Sequence, residues 1–221
     1  MSEHKAQGMP EDTISTTLSL VTTANSVLAI TAGLISDILV QGLGLGPLSP
    51  FLAAIPCLLL GLLLISVLWT ENYGSDRPVM ELYREGLTII WSNWSIMRVG
   101  IVQGLVESSM FIFVYLWTPT LSSGQEDIPL GKIFASFMLS IMVGSLIFKI
   151  LIKSTPANRI LFVATSLFLS STLVASQFAS SSDPLSKYIC FVSFLLIEIS
   201  LGLYFPSIGT LRSQLVPGTH R

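Results

Sequence analysis

Two carboxylic acids, Glu107 and Glu198, each stand near the middle of a long apolar stretch. A charged side chain at the centre of a bilayer costs about 3 kcal/mol on insertion scales, so such groups face protein or water and are functional by default. Gln103 lies four residues before Glu107 and shares its helix face. Glu198 is followed at the same spacing by Gly202, then by Tyr204-Phe205-Pro206, where the proline removes a backbone donor and favours a kink. Proton coupling, or pairing with cations on neighbouring helices, is the chemistry such acids support. The plainer alternative is a structural carboxylate that ties helices together. Ser108 and Ser109 add donors at the same depth, and Asn25 would bond to a neighbouring helix or to a substrate. The candidate substrate or coupling residues are therefore Glu107, Glu198, Gln103, Ser108 and Asn25.

Little else in the chain offers chemistry. The two histidines, His4 and His220, are terminal, and no nucleophile, metal-ligand or phosphate-cradling glycine motif occurs. No enzyme, metal or cofactor is expected, and neither is energy from nucleotide hydrolysis. Net charge is only -2 with no run of like charges, which argues against a nucleic-acid partner.

The elements that must hold these acids follow from composition. Hydrophobic residues make up 51% and charged residues 11% of the 221 positions, and mean hydropathy is +0.74. Crossing about 30 Å of hydrocarbon takes about 20 apolar residues in a helix, the fold that satisfies its own backbone. Six stretches qualify: residues 14–38, 51–69, 97–118, 131–152, 160–178 and 187–211. The expected fold is all-α, a polytopic membrane helix bundle with six transmembrane helices. Glycine- and proline-rich breaks such as GLGLGPLSP and LSSGQEDIP separate them. The opening MSEHKAQGMPEDT lacks a basic region leading into a short apolar core, so no cleaved signal peptide is expected.

Charge distribution gives direction. Alternating the six spans puts nine of the eleven Lys and Arg on one face and leaves Lys132 and Lys187 on the other. The positive-inside rule then places both termini in the cytoplasm. Trp69, Trp91, Trp94 and Trp117 fall near span ends, where aromatic belts sit. Residues 78–95 are too polar to span, yet Met80, Tyr83, Leu87, Ile90, Trp91 and Trp94 recur at helical spacing, as in an amphipathic helix lying in the cytoplasmic interface. The sequon Asn93-Trp94-Ser95 would lie on that side and carry no glycan. The organisation expected is a cytoplasmic tail (1–13), two spans (14–69), a central cytoplasmic loop (70–96), four spans (97–211) and a second tail (212–221).

Within the first span Ser15, Ser19, Thr22, Ser26, Ala29 and Gly33 form one small-residue stripe, and Ser136, Ser140 and Gly144 a shorter one in the fourth. Close helix packing is the favoured reading and a watery lining the alternative. Lys149 and Lys153 are placed to snorkel to the surface, Asp37 at a span end to be solvated, and Cys57 and Cys190 to be small buried hydrophobes.

Four blocks carry a family resemblance: GLGPLSPFLAAIP with WTENYG, VESSMFIFVYLWTPTL, GKIFASFMLSIMVGSLIFK and LIEISLGLYFPSIGTLR. In this order and spacing the chain resembles the molybdate-anion transporter family of the major facilitator superfamily, that of major facilitator superfamily domain-containing protein 5. The resemblance implies a partial major facilitator fold matching spans five to ten of twelve, the first two closing one half and the last four opening the other. It further implies secondary transport of molybdate or a related oxyanion in the plasma membrane, by a truncated form. Glu107 and Glu198 would fall on the family's seventh and tenth spans, which line the central cavity. The dianion demands donors and positive charge; its main cation is expected on spans absent from this chain. A non-transporting scaffold or regulator that pairs with the full-length transporter is the alternative.

Overall fold

The computed structural model describes residues 13–69, 78–122, 128–181 and 183–215. They form seven α-helices: α1 (Thr13–Asp37), α2 (Ser49–Leu68), α3 (Val79–Ser92), α4 (Trp94–Ser122), α5 (Leu130–Leu151), α6 (Ala157–Phe178) and α7 (Pro184–Leu215). A π turn, Ile38–Gly42, extends α1. All but α3 are long and apolar enough to cross a membrane. The terminal residues 1–12 and 216–221, which include both histidines, lie outside the described residues, as do 70–77 in the central loop.

Local chemistry explains where the helices begin. The side-chain oxygen of Asn93 accepts from the amides of Ser95 and Ile96 at 3.0 and 3.3 Å, which caps α4 and separates it from α3. Asp183 does the same for α7 through Leu185 and Ser186 at 3.1 and 3.3 Å, with Pro184 preset for the first turn. Both helices therefore start three residues earlier than hydropathy suggests. At 29 and 32 residues they reach about 44 and 48 Å, more than the hydrocarbon requires. Between α1 and α2 the chain turns through Gly44 and Gly46, whose φ angles of 64° and 80° favour glycine.

Packing is organised around α7, which contacts α1, α4, α5 and α6. Its closest approach is to α5. A Cβ on Gly144 would collide with the carbonyl oxygen of Ile199, and one on Gly202 with that of Ile141. The Cα of each glycine lies within about 3.0 Å of where the other's Cβ would be. Small residues substitute here for the hydrophobic drive that lipid does not supply. One end of the α5–α7 crossing is filled by rings: Phe113 and Trp117 of α4, Phe137 of α5, and Phe191 and Phe194 of α7, with paired centroids 5.1–6.3 Å apart.

The first-span stripe packs against α5. Ser19, Ser26 and Gly33 are buried, and Gly33 meets Gly131 and Phe134. Hydroxyls of Thr22, Ser26, Ser136 and Ser140 donate to carbonyls of their own helices, so these stripes hold no free donors for a watery lining. By contrast α2 buries only Ser49, and α3 buries no residue, leaving its apolar face of Met80, Tyr83, Leu87, Ile90 and Trp91 uncovered by protein. Cys57 accordingly corrects one expectation: it is exposed on α2, because no helix covers that surface, whereas Cys190 is buried and donates to the Ala175 carbonyl at 3.6 Å.

Substituting Gly144 with Ala should lower the melting temperature of the purified chain in detergent, corresponding to about 1–3 kcal/mol of overpacking. Gly104→Ala, where an added methyl meets nothing within 4 Å, should leave it unchanged or slightly higher. Fluorescence-monitored thermal unfolding of the two variants checks this, and equal melting temperatures would remove the α5–α7 crossing from its central place.

Candidate functional site

The contact of α4 with α7 brings three polar groups together. Gln103 donates from Nε2 to Oε1 of Glu107 at 2.9 Å, one turn apart on α4. The hydroxyl of Tyr204 reaches the same oxygen from α7 at 3.5 Å, the long limit of a hydrogen bond. Tyr204 is itself only 1% exposed. It sits two residues past Gly202, so the glycine crossing that fixes α7 also fixes the height of this phenol.

Glu198 lies elsewhere. It is buried at 4% exposure, one turn before Gly202 on the face of α7 that crosses α5. Its carboxyl forms no hydrogen bond or ion pair with a described residue. Six residues separate it from Tyr204, about 9 Å along the helix, so the two acids occupy different levels and do not share one site.

The remaining candidates divide. Ser108 is exposed and donates to the Leu105 carbonyl at 3.0 Å, so its hydroxyl is spent on its own helix. Ser109 does the same at 2.8 Å. Asn25 is exposed on α1 outside its packed faces and bonds to no described neighbour. Lys149 and Lys153 are exposed, as snorkelling requires. Asp37 is a correction: its carboxylate is only 11% exposed and pairs with Lys132 at 3.5 Å. It is enclosed because the π turn carries the chain on past the expected span end while Asp37 meets the first turn of α5, where a Cβ on Gly131 would come within 2.8 Å of the Asp37 Cβ. Sequence reasoning overlooked Tyr204 as a partner of Glu107; the signal available was a phenol two residues before a proline inside an apolar span.

The cavity nearest the α4–α7 contact offers little to an anion. A space of about 280 Å³ between α4, α6 and α7 is walled by Phe113, Trp117, Phe194 and Ile197, with Thr172 and Ser176 hydroxyls already bonded to their own helix. The polar cluster around Glu107 lies outside it.

Comparison with known proteins places the chain in a family. Residues 1–198 match the model of a major facilitator family described as sugar transporters with twelve transmembrane segments. The chain belongs to this transporter family. Among its relatives, the molybdate-anion transporter of Xenopus tropicalis is 34% identical over 97% of this chain and 48% of its own length. Those of Danio rerio and Takifugu rubripes are 32% and 30% identical over 96% of the chain and 49% of their own lengths. The chain thus spans about half the length of the curated relatives it matches. No solved structure matches it.

The Glu107–Tyr204 link is measurable. Tyr204→Phe should cost about 0.6 kcal/mol, the usual worth of one interhelix hydrogen bond in a membrane. In a cycle with Glu107→Gln the two losses should fail to add, by about 0.5 kcal/mol or more. Thermal unfolding of the two single variants and the double variant gives the coupling, and strict additivity would mean that the phenol and the acid do not interact.

Proposed function

We propose that the chain serves secondary transport of molybdate or a related oxyanion across the plasma membrane, with both termini in the cytoplasm. The observation that carries the reading is the match over nearly the whole chain to relatives named molybdate-anion transporters. It is supported by polar groups held at mid-helix, where polarity is expensive and marks a transport pathway. Gln103 and Tyr204 provide neutral donors, and Glu107 is held between them. Neither acid attracts a dianion. In this reading Glu107 and Glu198 carry coupling protons or balance cations, and the anion's positive partner is supplied by residues beyond this chain's spans or by a helix N-terminus. The family description, sugar transporters, stands against the substrate named for the relatives. We weight the relatives more, because they are individual proteins matched at 30–34% identity, whereas a family description covers many substrates.

A second reading, a non-transporting scaffold or regulator that pairs with the full-length transporter, draws on the bareness of α2, where none of the most apolar window is buried.

Isotopic molybdate uptake by cells expressing this chain, the full-length relative, or both separates these readings. Transport predicts uptake by a system containing the chain's spans, reduced about a hundredfold or more and with altered pH dependence when Glu107 or Glu198 becomes Gln, the scale of removing a proton-transfer group. Unchanged uptake and pH profile for both variants would remove the coupling role. Uptake of a labelled hexose instead of molybdate would return the substrate to the sugar class. Co-purification with the full-length protein, without uptake by the chain alone, would favour the scaffold.

A further inference from the structure

Where α1 ends against the start of α5, one carboxylate oxygen is buried without a hydrogen-bond partner: Oδ1 of Asp37. Its other oxygen, Oδ2, lies 3.5 Å from the ammonium of Lys132, longer than the roughly 2.8 Å of a charge-assisted hydrogen bond. Lys132 is 65% exposed, so water already carries much of its charge, whereas the Asp37 side chain is only 11% exposed. The acid is enclosed and its cation is loosely held.

Other oxygens gather at the same place. A cavity of about 770 Å³ is lined by Ser36, Asp37, Gln41, Pro47, Phe51 and Gly131. Gln41 donates from Nε2 to the Ile128 carbonyl at 3.4 Å, which leaves its Oε1 without a donor among the described residues. The Ser36 hydroxyl likewise forms no bond with a described residue, unlike most hydroxyls of the chain. The cavity also adjoins the C-terminal end of α1, where Asp37 passes into the π turn Ile38–Gly42 and the last carbonyls make the helix end negative.

We propose that this cavity binds a monovalent alkali cation, held by Oδ1 of Asp37 with the oxygens of Ser36 and Gln41, and that the ammonium of Lys132 is its built-in competitor. The donor set is all oxygen, which suits a hard cation and not a transition metal. Charge decides the valence. Asp37 supplies one negative charge, which Lys132 balances when it is near; with the ammonium turned out into water, one monovalent ion restores neutrality and a divalent ion exceeds it. Lys132 yields at low cost, because an exposed ion pair is worth about 0–1 kcal/mol. Glu126 and Asp127, which precede Ile128 in the chain, lie outside the described residues. The site belongs to α1 and α5, apart from Glu107 on α4 and from Glu198 and Tyr204 on α7, and it does not rest on the transport reading.

The test uses the purified 221-residue chain in detergent, without substrate, and follows thermal unfolding by tryptophan fluorescence. Sodium chloride replaces N-methylglucamine chloride stepwise at constant ionic strength, so that screening is held fixed and ion binding alone raises the melting temperature. The expected rise is about 3 °C or more at saturation. Asp37→Asn should abolish it. Ser36→Ala and Gln41→Leu should each raise the half-saturating sodium concentration by about threefold or more, the scale of one lost ligand contact. Lys132→Gln should lower that concentration by about threefold, because the competitor is gone. A melting temperature indifferent to sodium, a rise that survives Asp37→Asn, or weaker sodium binding in Lys132→Gln would overturn the proposal. So would a larger rise with calcium chloride at the same ionic strength, which would make the site divalent. If Asp37→Asn does not fold, the Ser36→Ala and Gln41→Leu titrations decide, and unchanged half-saturation in both counts against the site.

Discussion

Backbone-to-backbone contact between α5 and α7 is the constraint on which the other placements depend. Where Gly144 meets Gly202 no side chain fits, and the two helices close to the limit set by their main chains. In water such a contact would add to a hydrophobic drive; in lipid it stands in for one, because tails solvate Leu and Phe as well as protein does. The crossing fixes the rotation of α7 as well as its position. With Gly202 turned toward α5, Glu198 one turn earlier must lie on the same face, and Tyr204 two residues later must turn away, toward α4. One pair of glycines thus assigns the two acids of the chain to different interfaces.

Polar contacts between helices are few, and each falls at a distinct joint. Most Ser and Thr hydroxyls bond a carbonyl three or four residues back on their own helix, which meets the demand of the bilayer locally and leaves nothing for a neighbour. Against that background the cross-helix bonds are conspicuous. Ser19 with Ser145 and Asp37 with Lys132 fasten α1 to α5, Tyr204 with Glu107 joins α4 to α7, and Cys190 with the Ala175 carbonyl joins α7 to α6. Helix α2 has no such joint among the described residues and buries almost nothing. The chain is therefore a well-joined group of α1, α5, α6 and α7, with α4 held by one face and α2 held mainly by its turn.

The spans were legible because the bilayer demands length and apolarity of every residue in a window, and no other feature of a chain imitates that over six segments. Glu107 and Gln103 were legible as a pair because a spacing of four fixes a shared face. Their third partner was not, since a period along α4 carries no information about which residue of α7 arrives opposite; that depends on the glycine crossing. Asp37 was misread for a related reason. Hydropathy marks where a span may end, but the π turn and the first turn of α5 decide whether water reaches that end. Helix starts were written in the sequence after all, as Asn93 and the Asp183-Pro184 pair, signals of capping that a hydropathy window averages away.

The two acids do not have equivalent environments, and this bears on what each can do. Glu107 receives two neutral donors, so its charge is partly solvated by the protein and its geometry is held whether or not a substrate is near. Glu198 has neither donor nor cation among the described residues, and a lone enclosed charge costs several kcal/mol. Any group or water that reaches it between α5 and α7 therefore changes the energy of the closed bundle. Here one acid has partners and the other has none among the described residues, a division imposed by the same crossing that turns them to opposite faces.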